Sequence, residues 1–202
     1  MKTRPVWILS CLTWLLAVCA GAWVLSNYDN SAGRAGEALS QWPADAQIAI
    51  QTNQPVLIMF AHPQCPCTRA SIDELNRLMA RCADTVAAHV FFYQPDGVPK
   101  DWTQSGLWKS AAAIPGVQVH ADPEGREARL FGAESSGHVV LYDVHGHLIF
   151  HGGITSARGH AGDNAGENTV IGLLAGTKTP LNETPVFGCG LLDKTELVAS
   201  RP

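Results

Sequence analysis

Phe60-Ala61-His62-Pro63-Gln64-Cys65-Pro66-Cys67-Thr68-Arg69 sets two cysteines, one proline apart, between two segments of different character. The apolar run Val56-Leu57-Ile58-Met59-Phe60 before it reads as a buried strand, and Ile72 to Met79 after it has helical periodicity. The stretch is therefore a strand, a short loop bearing two thiols, and a helix that starts on top of them. Backbone N–H groups and the positive end of the dipole at a helix N-terminus stabilise an anion. A thiol held there tends to be acidic and reactive.

The 202 residues fit one domain with an attachment. The attachment is visible at the start, where Lys2 and Arg4 precede the uncharged run Val6 to Leu25. That length crosses a hydrocarbon core as a helix, and the basic residues before it favour an N-in orientation. Three readings compete: an uncleaved anchor, a cleaved signal peptide, and a lipoprotein signal at Leu16-Ala17-Val18-Cys19. The length of the run and the placing of Trp7 and Trp23 near its ends favour the anchor. All three export the rest of the chain.

Setting aside Lys2 and Arg4 leaves 12 basic and 18 acidic residues, a net charge near −6. No basic patch of the kind that binds nucleic acid is present. Cys11 and Cys19 lie inside the apolar run and read as small apolar residues. Cys65, Cys67, Cys82 and Cys189 would face an oxidising compartment, where disulfides persist.

Ser26 to Ser40 is rich in small and polar residues and reads as a tether leading away from the membrane. A short helix is expected from Trp42 to about Gln51, then the strand to Phe60 and a helix to about Cys82. A strand over Thr85–Tyr93, a helix over Trp102–Ala113, a brief strand Val117–His120 and a helix Arg126–Phe131 follow. His138–Asp143 and His147–His151 flank a Gly-containing turn and read as a hairpin. A Gly-rich stretch, Gly152 to Gly166, leads to a last helix near Thr169–Leu174. The alternation predicts an α/β fold, a mixed central sheet with helices on both faces.

Strand, cysteine pair with Pro66 before Cys67, long helix and late Val-Val-Leu-Tyr-Asp hairpin together resemble a thioredoxin-like fold. The insert before the hairpin resembles membrane-anchored periplasmic thioredoxins of the TlpA and redoxin type. More narrowly, His62 to Ala70, Ser136-Gly137-His138, Gly152-Gly153-Ile154-Thr155, Arg158 to Asn164 and Phe187-Gly188-Cys189 resemble the RedB-like group. The pattern departs from the superfamily in two places. One residue, not two, separates Cys65 from Cys67, and Gly137-His138 falls where most thioredoxins carry a cis-proline.

The resemblance implies a membrane anchor or signal over residues 1–26, a linker over 27–41, a thioredoxin-like domain over 42–195 and a tail over 196–202. It implies a single-pass protein of the bacterial inner membrane whose domain faces the periplasm and exchanges thiols and disulfides with protein partners. Aligning Pro66-Cys67 with the family's Pro-Cys makes Cys65 the exposed attacking thiol and Cys67 the resolving one. Pro66, Gly137, His138 and Arg158 are the substrate-binding candidates. A Cys-x-Cys disulfide closes a small ring with non-ideal torsions, so the couple is expected to be relatively oxidising. A peroxidase site is disfavoured, because Gln64 and His62 stand where Thr would precede the attacking cysteine.

No cofactor is required for that chemistry, but a copper site is a second expectation, since thiolates and imidazoles suit Cu(I) and Cu(II). Its candidate ligands are Cys65, Cys67, His62 and His138. His145, His147 and His151 read as solvated edge residues. The loop from Gly152 to Gly166, with Arg158, His160, Asp163 and Asn164, is long enough to be functional or a plain connector. Cys189 is left as an auxiliary thiol, either a relay partner or a bridge to Cys82. Cys82, about 20 Å along the helix from Cys67, cannot pair with it while the helix is intact.

Overall fold

Val56–Ala61 forms strand β1, and all six of its residues are buried. Burial on both faces explains why the sequence there is a continuous apolar run and not an alternating one. A computed structural model of the chain describes residues 4–192 apart from Thr52, Ala83 and Lys178. The other strands are β2 (Ala87–Gln94), β3 (Val117–Pro123), β4 (His138–Tyr142), β5 (Leu148–Gly153) and β6 (Glu183–Thr184). They form one sheet in the order β3-β2-β1-β4-β5-β6.

β1 runs parallel to β2, with Val56 opposite Ala87, and antiparallel to β4, with Phe60 opposite His138. A parallel pair needs a long crossover. Helix α2 (Cys67–Cys82) supplies it. The other helices of the domain are α3 (Gly106–Ala112), α4 (Arg126–Leu130) and α5 (Ala165–Leu174).

Alternation along β1 divides the core in two. Leu57 and Met59 pack with Ile72, Leu75 and Leu78 of α2, Leu107 of α3 and Val170 of α5. Ile58 and Phe60 face the opposite way, towards Ala128 of α4, Phe131, Tyr142 and Trp42. A mixed sheet with helices on both faces and the β1–α2–β2 unit at its centre is a thioredoxin-like fold. Helix α1 (Arg4–Asp29) precedes it, and the 24 residues Val6–Asp29 are long and apolar enough to cross a membrane.

Several boundaries differ from the sequence reading. No helix forms over Trp42–Gln51. Trp42 donates its N–H to Gly146 O and packs its ring edge-on against Phe131 and Tyr142. Gln47 N–H binds the Glu127 carboxylate, so these remote partners draw the segment across the sheet face. The helix expected over Trp102–Ala113 is a 3₁₀ turn at Lys100–Thr103 followed by α3, capped by the Ser105 hydroxyl.

The segment expected as a tether does not lead away from the domain. α1 continues to Asp29, and residues 30–41 then lie against the fold. Gly33 N–H binds Val186 O, the Ser135 hydroxyl binds Arg34 O and the Tyr142 hydroxyl binds Leu39 O. Strand β6 joins the sheet edge beside β5 through His151 and Gly152, an element the sequence reading does not contain. The tail expected over 196–202 and the domain end at 195 lie outside the described residues.

Candidate functional site

The site is built where β1 ends. The chain leaves Ala61, turns through His62 to Cys65, and enters α2 at Cys67. The turn closes with Cys65 N–H on His62 O, and the first helical bond is Thr68 N–H on Cys65 O. Against it lies the loop before β4. Ser136 Oγ accepts from His62 N–H at 2.8 Å and shares a hydrogen bond of 2.6 Å with Thr68 Oγ1.

Ser136 N–H turns the other way and donates to Cys189 O at 2.9 Å. Ser135 bridges to Gly190, and Leu191 N–H binds Glu134 O, so the tail is stitched to the same loop. Its third sulfur is thereby delivered to the first two. Cys65 Sγ and Cys189 Sγ are 2.9 Å apart, and the sulfurs of Cys65, Cys67 and Cys189 all lie within 4.8 Å of one another.

The electrostatics separate the thiols. The hydrogen bond from Cys189 is the largest influence on Cys65 and brings its thiol down to about 5, against burial, with Thr68 assisting. Burial and then the neighbouring Cys65 charge push the Cys67 thiol up, with the Arg158 guanidinium opposing. The centre thus holds one thiolate at neutral pH beside a thiol that stays protonated.

Exposure corrects one expectation. Cys65 is not an exposed attacking thiol: it is 3% accessible and Cys67 7%, because the Ser135–Gly137 loop and the tail close over them. Cys189 is more open and lines a cavity of about 810 Å³ together with Tyr28, Ser135 and Arg158.

The other candidates are scattered around this centre. Pro66 lies between the two thiols of the turn. Gly137 has φ +87°, donates to Phe60 O, and leaves no room for a Cβ beside Ser71 Oγ of α2. His138 does not face the sulfurs. It is fully buried on the opposite side of β4, its ring 6.2 Å from that of His151, and burial brings it down to about 4. His62 turns its ring towards Tyr93 and Trp102. Neither histidine belongs to the group of converging ligand atoms found among the described residues.

Arg158 is committed to backbone. It donates to Ser31 O and Gly188 O and lies 5.0 Å over the Tyr28 ring, clamping the end of α1 to the tail. The Gly-rich loop is latched as well, since Gly162 N–H binds the buried Glu74 carboxylate on α2, which also pairs with Arg77. His147 pairs with Asp143 at the hairpin turn. Cys82 sits at the far end of α2, outside the sulfur group.

Sequence reasoning left two parts of the site unassigned. One is Ser136, which links both halves through three hydrogen bonds. The other is the position of Cys189. The signals for the second are its place in the Phe187-Gly188-Cys189 motif and a thiol left over beside the Cys65–Cys67 pair, which suggest a relay partner or a bridge to Cys82, but spacing cannot place it against Cys65, 124 residues away.

Neither a family model nor a curated protein matches the chain. Among solved structures, a hypothetical protein from Sinorhizobium meliloti superposes with a TM-score of 0.59 at 18% identity, covering 80% of this chain and 94% of its own. An uncharacterized conserved protein from Geobacillus kaustophilus gives 0.59 at 17% identity, covering 82% and 93%. An exposed lipoprotein thioredoxin of Streptococcus pneumoniae gives 0.47 at 14% identity, covering 69% and 99%. At these identities the first two superpositions bear on the fold alone.

Proposed function

We propose that the protein is a membrane-tethered, extracytoplasmic thiol–disulfide oxidoreductase of the RedB-like kind, acting on protein thiols. The observation that carries this is the convergence of three cysteine sulfurs at the start of α2, one of them held as a thiolate at neutral pH. A thiolate is the species that attacks a disulfide, and an acidic thiol is also a good leaving group when a disulfide is opened. Cys65 is the centre of the exchange, and a neighbouring thiol completes it, Cys67 in the pairing that the family resemblance implies. The apolar helix α1 supports tethering, with the domain on the periplasmic side of the inner membrane.

The test is the redox equilibrium of the purified full chain against glutathione, together with insulin reduction and disulfide isomerisation. Cys65→Ser is expected to abolish turnover. Activity unchanged in that variant sinks the reading.

A second reading is a copper-handling protein, favoured by the same three sulfurs, since soft thiolates select Cu(I). The ligands would be Cys65, Cys67 and Cys189, not the histidines expected from the sequence. Anaerobic Cu(I) titration of the reduced chain is expected to show binding tighter than in a Cys65→Ser, Cys67→Ser variant. Equal binding removes the idea.

A further inference from the structure

Resting on the oxidoreductase reading, we infer that the working disulfide of this centre joins Cys65 to Cys189, and that Cys189 is the sulfur an incoming protein dithiol attacks. Three independent features of the geometry agree on this. The first is contact: Cys189 Sγ is already 2.9 Å from Cys65 Sγ.

The second is support. Residues 188–191 are fixed on both sides of Cys189, by Arg158 on Gly188 O, by Ser136 on Cys189 O, and by Leu191 on Glu134 O. Ser136 also holds the Cys65 turn through His62, so one side chain and its own N–H set the spacing between the two sulfurs.

The third is access. Cys65 and Cys67 are closed off, at 3% and 7%, whereas Cys189 opens into the cavity between the tail and the end of α1. A partner thiol reaching the centre through that cavity meets Cys189 first. A bond within Cys65-Pro66-Cys67 would present no sulfur to it.

The exchange balances without a cofactor. A substrate thiolate attacks Cys189 Sγ, forming a mixed disulfide as the Cys65–Cys189 bond breaks. The electron pair leaves on Cys65 Sγ, where Thr68 and the start of α2 hold it as thiolate. The second substrate thiol, deprotonated, then attacks its own sulfur in the mixed disulfide and expels Cys189, which takes up the proton. The substrate is oxidised by two electrons and the pair Cys65 and Cys189 is reduced. Another disulfide, of small-molecule or protein origin, restores the oxidised pair by the reverse exchange. With Cys189 bonded to the substrate, Thr68 and the start of α2 remain to stabilise the departing Cys65 thiolate, and a stabilised leaving thiolate favours donation of the disulfide. Cys67 stays protonated behind it and serves as a third, reserve thiol.

The test is non-reducing peptide mapping of the full chain in detergent after equilibration with glutathione disulfide, with fragmentation to assign each sulfur. The expected product links the Cys65 peptide to the Cys189 peptide, and Cys189→Ser loses that species. In Cys65→Ser, with the leaving sulfur gone, glutathione is expected to accumulate as a mixed disulfide on Cys189. A Cys65–Cys67 bridge in the wild-type chain, or glutathione settling on Cys67, overturns the assignment while leaving exchange activity in place. No bridge among the three sulfurs, with no oxidation of a dithiol peptide, overturns the oxidoreductase reading itself. The wild-type mapping needs no variant, so a substitution that fails to fold does not block the decision.

Discussion

The acidity of Cys65 depends on a residue far away in sequence. Cys189 supplies the largest stabilisation of the Cys65 thiolate, ahead of Thr68, and does so against burial. Replacing Cys189 by Ser keeps a hydroxyl donor but changes length and polarisability, and replacing it by Ala removes the donor altogether. Cys189→Ala is expected to move the Cys65 midpoint upward from about 5 towards the ordinary value near 9. The thiolate ultraviolet absorbance followed against pH measures this directly. A midpoint that stays near 5 would mean that Thr68 and the helix suffice.

At the level of elements, the tail is the part most exposed to small changes. A Cβ on Gly188 would overlap the Ser136 carbonyl, which is backbone and cannot rotate away. Gly188→Ala is expected to displace residues 188–190 from the 135–137 loop while Leu191, just beyond, keeps its place in the core beside α4. Dithiol oxidation should fall at least tenfold with little change in thermal unfolding, read by activity and circular dichroism on one sample. Equal losses of both would place Gly188 in the framework instead. β1, α2 and the β4–β5 hairpin were legible because length, periodicity and a glycine turn are local signals. The tail and residues 30–41 were not, because their partners are remote in sequence: Gly33 binds Val186, Ser135 meets both Arg34 and Gly190, and Tyr142 binds Leu39. Trp42–Gln51 misled for the same reason, as its proline and alanines suit a helix start while Trp42 is held by the hairpin turn and an aromatic cluster. His138 misled differently. It opens β4 as expected, but a one-residue alternation decides which face a side chain takes, and its ring is buried in the core and not among the sulfurs.

For the whole molecule, acidity at the site becomes a statement about folding. The Cys65 thiol lies at about 5 in the folded reduced chain and near 9 when unfolded. A lowered value means that the folded state binds fewer protons, so this contribution to stability is fully present above pH 9. It declines as the pH falls from there and is lost once the pH passes below about 5. The oxidised chain has no thiol at Cys65 and lacks this window. The gap in unfolding free energy between reduced and oxidised forms should therefore shift steadily in favour of the reduced form from about pH 5 to about pH 9. The same cycle governs the potential: two protons accompany two electrons below pH 5, giving a slope of about 60 mV per unit, and one above it, giving about 30 mV. Urea unfolding of both forms across that range, with the midpoint potential against glutathione at each pH, tests the two limbs together. A single slope throughout, or a stability gap independent of pH, would show that Cys65 is not the thiolate of the reduced state, and the direction of exchange would then have to be set by a different sulfur.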